Sequence, residues 1–146
     1  MKIVLQRVSR AAVRVNGETV GSIGRGLVAL VGIGAGDTRE HADKLAAKIE
    51  KLRIFADAEG KTNLSSADSG GEILIISQFT LLADCKKGNR PSFTNAGPPA
   101  LARELVDYFA NVCEGRFAKT ARGLFGEDMA VELVNDGPFT VILEEL

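Results

Sequence analysis

The sequence is poor in the residues that most often carry chemistry, with one histidine, two cysteines and no tryptophan among 146 residues. His41 falls in the first turn of a predicted charged helix, where a surface position is usual. Cys85 and Cys113 stand far apart, without a CxxC pair. These scarcities disfavour a zinc site, a histidine-based triad and a disulfide framework, and they are typical of a reducing compartment.

The chain also lacks a charge bias and a long hydrophobic run. Its 18 basic and 19 acidic residues give a net charge of -1, which excludes a strongly basic nucleic-acid coat protein but leaves room for a local basic patch. No stretch approaches the ~20 apolar residues of a membrane span. The N-terminal segment alternates polar and apolar residues, unlike a signal peptide. We expect a cytoplasmic protein that does not contact membranes.

Length and hydrophobic content predict one α/β domain over residues 1–146. The apolar runs at 26–33 and 72–82 indicate strands covered on both faces, and Asn16-Gly17 indicates a hairpin. The other predicted elements are strands over 1–15, 18–23, 129–134 and 139–143, a helix over 38–53, and a second helix from Pro98-Pro99 to Val112. The turn GIGAGD at 32–37 lacks the dinucleotide-binding spacing, so no cofactor is expected.

The segment SQFTL, Ser77 to Leu81, places polar residues at the end of a buried strand. A structural role alone would explain these polar residues if their hydroxyls form hydrogen bonds with the backbone at the end of the strand. Alternatively, the hydroxyls, the amide of Gln78 and free backbone N–H groups line a pocket at the strand terminus.

The segment NDGPFT, Asn135 to Thr140, joins the last two predicted strands. Asp-Gly is an ordinary hairpin signal. Pro138 follows a glycine, and the Gly137–Pro138 bond is a candidate for the cis isomer. In that isomer two carbonyls would face one side with no bulky side chain in front of them.

Two basic segments provide the local patch that the net charge conceals. Surface solvation is the usual role of such cations, but contact with phosphates is the alternative. The candidate phosphate-binding residues are Lys86, Lys87, Arg90, Arg116, Lys119 and Arg122.

Together, five segments in register resemble the D-aminoacyl-tRNA deacylase family. They are QRV at 6–8, SQFTL at 77–81, KKGNRPSF at 86–93, GLFGEDM at 123–129 and NDGPFT at 135–140. One departure is Phe139, where the family more often has valine. Intact SQFTL and Arg7 favour the D-specific branch over a paralogous family that edits other mischarged tRNAs.

The resemblance implies a three-layer α/β/β domain with mixed sheets in a barrel-like arrangement and two main helices. It implies a homodimer with the active site at the interface, acting on D-aminoacyl esters of tRNA. Ser77, Gln78, Phe79 and Thr80 match the segment that lines the catalytic pocket. Gly137 and Pro138 match the Gly-cisPro motif that rejects L-amino acids from the partner's pocket. Arg7, Asn135 and Thr140 match residues that support this motif.

The scarcity of bases agrees with the chemistry that the resemblance implies. The 2′-hydroxyl of the terminal ribose assists hydrolysis, while a backbone N–H of Phe79 or Thr80 stabilises the oxyanion. Glycyl-tRNA, including mischarged glycyl-tRNA-Ala, is then a further expected substrate. Three alternatives stay open: Thr80 as a covalent nucleophile, a non-catalytic tRNA-binding module, and a hydrolase of small D-amino-acid esters.

Overall fold

The computed structural model describes residues 1–144 as an α/β arrangement. The strands are β1 Lys2–Val15, β2 Glu18–Ile23, β3 Gly26–Gly32, β4 Phe55–Ala56, β5 Thr62–Leu64, β6 Glu72–Ser77, β7 Thr120–Arg122 and β8 Ala130–Glu144. The helices are α1 Arg39–Lys51, α2 Ser66–Ser69 and α3 Pro99–Glu114, and a 3-10 helix covers Phe79–Leu82.

One mixed sheet organises the chain, in the order β2-β1-β3-β6-β7, with β8 paired to β1. Strands β3, β6 and β7 run parallel, whereas β1 is antiparallel to β2, β3 and β8. The open edges β2 and β7 approach each other at Gly21, where an added Cβ would lie 2.6 Å from the carbonyl oxygen of Arg122. The sheet therefore closes almost completely into a barrel.

The two central strands are apolar throughout because they are covered on both faces. One face of β3 and β6 packs against α1 and α3, whose own apolar stripes face the sheet. The opposite face packs inside the barrel, where Val28, Leu74 and Ile76 meet Val8 and Val13 of β1. The predicted α/β fold, with a mixed barrel-like sheet and two long helices, is confirmed.

Three predicted boundaries are wrong. The strand expected over 72–82 ends at Ser77, since the apolar residues that follow form the 3-10 helix and pack beside Gly32. The stretch over 57–71, where the sequence predicted no strand or helix, contains β5 and α2. The two strands expected over 129–134 and 139–143 are one strand, β8, which stays paired to β1 on both sides of the Gly-Pro segment. Within residues 1–144, no helix is long and apolar enough to span a membrane.

Candidate functional site

A cavity of about 510 Å³ opens where β6 ends. The carboxyl ends of parallel strands are where α/β sheets commonly place their ligands. The lining residues are Ile76, Ser77, Gln78, Phe79, Ala96, Gly97, Pro99, Ala102, Phe125, Gly126, Glu127, Asp128, Met129 and Val131.

The first wall of the cavity is the polar strand end that the sequence singled out. Ser77 is the last residue of β6, and the backbone N–H of Gln78 donates to the carbonyl of Val31 at 2.8 Å. The chain then leaves the sheet at Gln78, with φ -145° and ψ 79°, and turns into the 3-10 helix. Phe79 lines the cavity, while the neighbouring Thr80 is exposed and is not among the lining residues.

The turn leaves two backbone donors beside the cavity without partners inside the turn. The amides of Leu81 and Ala83 donate back to Gln78 and Thr80, at 3.2 and 3.1 Å. The first N–H groups of any helical turn have no acceptor within it, and here these belong to Phe79 and Thr80. The side-chain amide of Gln78 donates to the Thr80 hydroxyl. The hydroxyl of Thr80 is thus bonded to an amide N–H group, which cannot act as a base and remove the hydroxyl proton.

The opposite wall comes from two segments to which sequence reasoning gave no role. One contains Ala96, Gly97 and Pro99, whose loop lies against the end of β3 through the Gly34–Ala96 bridge. The other is Phe125–Met129, part of GLFGEDM. That motif carried the resemblance, and it was the one available signal for these residues. Long-range topology, invisible in local patterns, brings all three segments together.

Chemically, the cavity offers hydroxyl and amide groups, backbone donors, an aromatic ring on each side, and two carboxylates. The carboxylates, Glu127 and Asp128, are exposed. Among residues 1–144, no group of three or more His, Cys, Asp or Glu side chains is placed to hold a metal ion.

The remaining nucleophiles and bases lie outside the cavity lining. The Nδ1 of His41 accepts from the backbone N–H of Thr38 at the start of α1 and lies 3.2 Å from Asp37. Burial raises the pKa of the Cys113 thiol to about 12, which keeps it protonated and unreactive. Cys85 is exposed, directly before Lys86 and Lys87.

The Gly137–Pro138 segment forms a bulge on β8 and is held by Arg7 of β1. The Nε of Arg7 donates to the carbonyl of Asp136 at 3.1 Å, and its guanidinium lies over the Phe139 ring, 4.9 Å from the centroid. The other end of the guanidinium donates to the carbonyl of Ile54 at 2.6 Å. Arg7 thereby links the segment to the body of the domain.

Asn135 closes the bulge from within. Its side-chain oxygen accepts from the backbone N–H of Phe139 at 2.8 Å, and its amide donates to the carbonyl of Phe139 at 3.3 Å. These bonds replace strand pairing across the bulge, so β8 resumes pairing with β1 at Thr140, opposite Gln6. Gly137 has φ +119°, which favours glycine.

The predicted cis Gly137–Pro138 bond is wrong, because the described chain contains no cis peptide bond. Trans is the lower-energy isomer even before proline, by about 0.5–1 kcal/mol. The bulge reaches its shape through the positive φ of Gly137 and the Asn135 side chain, with both residues of the Gly-Pro pair exposed.

The structure therefore divides the predicted site residues into separate groups. Ser77, Gln78 and Phe79 line the cavity. The supporting residues Arg7, Asn135 and Thr140 gather around Gly137 and Pro138 on β1 and β8, and none of these five lines the cavity.

The two basic segments differ in how their charge is used. Arg116 pairs with Glu50 at 2.6 Å, and Arg122 contacts Glu114 and, at 2.7 Å, Asn111. Lys119 is exposed. The residues Lys86, Lys87 and Arg90 are exposed, and within residues 1–144 no carboxylate forms an ion pair with them. The loop over 84–92, hereafter the basic loop, thus carries three exposed cations that are available to a partner.

Comparison with known proteins connects these features to one family. The family described as D-Tyr-tRNA(Tyr) deacylase matches residues 4–144. A D-aminoacyl-tRNA deacylase of Dehalococcoides mccartyi is 55% identical over 144 residues, covering 99% of this chain and 94% of the relative. A protein of the same name from Pseudomonas putida is 54% identical and covers 99% of both chains.

Solved structures share the fold. A protein described as c-Myc DNA Unwinding Element Binding Protein superposes with a TM-score of 0.94 at 40% identity, covering 100% of this chain and 99% of that one. A probable eukaryotic D-amino acid tRNA deacylase superposes with a TM-score of 0.84 at 18% identity, covering 97% of each chain.

Proposed function

Since the chain belongs to the D-Tyr-tRNA(Tyr) deacylase family, we propose that it hydrolyses the ester bond of D-aminoacyl-tRNA. The products are a free D-amino acid and intact tRNA, and the reaction edits tRNA in the cytoplasm. The cavity at the end of β6 carries this proposal, because it joins Ser77–Phe79 to Phe125–Met129 in a chain that matches the family over residues 4–144. The cavity receives the aminoacylated 3′ end.

The proposed chemistry relies on backbone donors and on the substrate itself. The N–H groups of Phe79 and Thr80 stand at the first turn of the 3-10 helix, where they can receive the developing oxyanion. The 2′-hydroxyl of the terminal ribose assists the attack of water on the ester. Among the cavity-lining residues, Glu127 and Asp128 are the titratable ones, and no histidine lies there.

We further propose a homodimer in which Gly137 and Pro138 of one subunit complete the partner's cavity. In support, both residues are exposed on the bulge of β8 and absent from their own subunit's cavity lining. The backbone of the bulge then occupies the space that the side chain of an L-amino acid would need, whereas a D side chain points away. Glycine has no side chain to reject, so glycyl-tRNA is also a substrate.

A dimer is the expected species in solution, because neither subunit has a complete site alone. Sedimentation equilibrium of the active protein should give twice the mass of the chain over the concentrations used for assay. A monomer with full deacylase activity would contradict the shared site.

Neutralising the basic loop should weaken tRNA binding irrespective of the attached amino acid. The triple variant Lys86→Gln, Lys87→Gln, Arg90→Gln removes the unpaired cations, and each lost phosphate contact should reduce the salt slope of binding by about 1. Titration of binding against salt measures this change. Arg39→Gln is the matched control, because Arg39 is exposed but pairs with Glu104 at 2.8 Å. Binding by the triple variant that equals the wild type at every salt concentration would leave the loop without a phosphate-binding role.

A non-catalytic nucleic-acid-binding module is the second candidate. It is favoured by the basic loop and by the name of the DNA-binding protein whose structure superposes at 40% identity. Ester loss distinguishes the two candidates: D-tyrosyl-tRNA incubated with the protein should release tyrosine far faster than D-tyrosyl-tRNA alone. Binding without release would favour the module. Hydrolysis of small D-amino-acid esters that is unaffected by competing tRNA would indicate a small-ester hydrolase.

A further inference from the structure

Two exposed aromatic rings stand side by side at the rim of the cavity. Phe79 lines the cavity with 53% of its surface exposed, and Phe93 is 39% exposed. Their ring centroids are 5.1 Å apart, and the ring planes meet at 69°. The chain has only seven phenylalanines and no tryptophan. Because adjacent exposed apolar groups often mark an interaction site, the two rings at the cavity mouth indicate a ligand-binding surface.

The backbone fixes both rings to the two ends of the basic loop. Phe79 begins the 3-10 helix that leads into Asp84, and Phe93 directly follows Ser92. Asp84 and Ser92 exchange two backbone hydrogen bonds, at 2.8 and 2.9 Å, which close the loop at its base. The aromatic pair and the three unpaired cations therefore form one continuous surface.

This combination has the chemistry of a single-stranded nucleic-acid site. Such sites join cations that follow the phosphates with aromatic side chains on which bases stack. An acidic or purely apolar partner would use only half of the surface. A strand that enters the cavity with its terminal nucleotide must pass the rim, where the rings stand.

We propose that Phe79 and Phe93 form a stacking platform for the unpaired nucleotides that precede the terminal adenosine of the RNA substrate. The phosphates of these nucleotides lie against the basic loop. The proposal rests on the proposed function, which places the terminal aminoacyl ester in the cavity. Stacking tolerates any base, so the platform holds the strand while the cavity recognises the ester.

The test compares two variants of Phe93 on two substrates. Phe93→Leu removes the ring but keeps apolar bulk, and Phe93→Trp keeps an aromatic face. Phe93→Leu should lower kcat/KM for D-tyrosyl-tRNA about 5- to 150-fold, the range for one lost base–aromatic stack. It should leave D-tyrosyl-adenosine unaffected, because that ester has no preceding nucleotides. Phe93→Trp should restore activity on the tRNA.

Val20→Ala is the matched control, since Val20 is an exposed apolar residue on β2 and should change neither substrate. Equal loss on both substrates would overturn the platform, as would no loss on either. Conversion of Phe93→Leu to a monomer would assign the ring to an interface between copies of the chain and would also overturn it.

A binding measurement separates the platform from the catalytic proposal. Phe93→Leu should weaken binding of intact uncharged tRNA but not of tRNA lacking its unpaired 3′ nucleotides. This difference is expected even if the wild type hydrolyses neither ester, in which case the proposed function fails and the platform stands. Equal weakening for both RNAs would contradict the platform alone.

Discussion

Replacing Gly137 with alanine is expected to lower kcat/KM for D-tyrosyl-tRNA about 100-fold and to reduce the preference for D over L esters. A Cβ at this position would overlap the guanidinium of Arg7, and φ of +119° is unfavourable for any residue with a side chain. The bulge or Arg7 must therefore move. Displacing a positioning group by about 1 Å can cost roughly 10²-fold in rate.

Gly17→Ala is the matched control for backbone strain. Gly17 also has a positive φ, +78°, but an added Cβ there meets nothing within 4 Å, so this variant should lose stability without losing selectivity. The hydrolysis rates of both variants are measured on D- and L-tyrosyl-tRNA after circular dichroism has shown that the variants are folded. If folded Gly137→Ala keeps the rates and selectivity of the wild type, the bulge takes no part in substrate discrimination.

Removing the 2′-hydroxyl of the terminal adenosine is expected to have a larger effect than removing the hydroxyl of Thr80. A tRNA that ends in 2′-deoxyadenosine and carries the D-amino acid on its 3′-hydroxyl should be hydrolysed about 10²- to 10⁴-fold more slowly, the usual share of general acid–base assistance. Thr80→Ala should stay within a few-fold of the wild type, because Thr80 faces the amide donor of Gln78 rather than a base.

The two carboxylates of the cavity provide the internal control for this prediction. Glu127→Gln and Asp128→Asn should keep most activity if the ribose assists the reaction. A large loss in Asp128→Asn, with tRNA binding retained, would make that carboxylate the base. Complete loss in folded Thr80→Ala would make the threonine the nucleophile. Either result would contradict assistance by the substrate.

Local patterns predict the frame of the fold well. The hairpin at Asn16-Gly17 locates β1 and β2, and the helical spacing of Leu45 and Ile49 locates α1, because these signals depend on neighbours in sequence. Hydropathy did not reveal the end of β6 at Ser77, since the Leu81 and Leu82 that follow are apolar too.

The bulge on β8 shows a second limit of local patterns. Asp-Gly followed by proline normally ends a strand, yet the side chain of Asn135 replaces the missing backbone bonds and pairing resumes beyond Pro138. The resemblance led to the cis isomer, and the described chain has trans. The bulge is also held by Arg7 on another strand, whose bond to the carbonyl of Asp136 spans 129 residues of sequence.

Only the part of the candidate site that lies in one local segment, at the end of β6, could be located from the sequence. Ser77–Phe79, which close an apolar run with polar residues, line the cavity, and their catalytic role stays a prediction. The walls formed by Ala96–Pro99 and Phe125–Met129 reach the cavity through the return of the chain after α3 and β7. The family match over residues 4–144 confirms the resemblance on which the activity was predicted.

D-selective hydrolysis is measured by incubating the protein separately with D-tyrosyl-tRNA, glycyl-tRNA and L-tyrosyl-tRNA and following ester loss over time. An L side chain that meets the backbone of the bulge and deprives its polar groups of partners should cost about 1–3 kcal/mol for each group left unsatisfied. We expect the D-tyrosyl and glycyl esters to be consumed while the L-tyrosyl ester persists. Loss of the L ester as fast as the D ester, or no loss of any ester, would contradict D-selective hydrolysis. If the glycyl ester is as inert as the L ester, selectivity comes from a pocket that binds D side chains and not from rejection of L side chains.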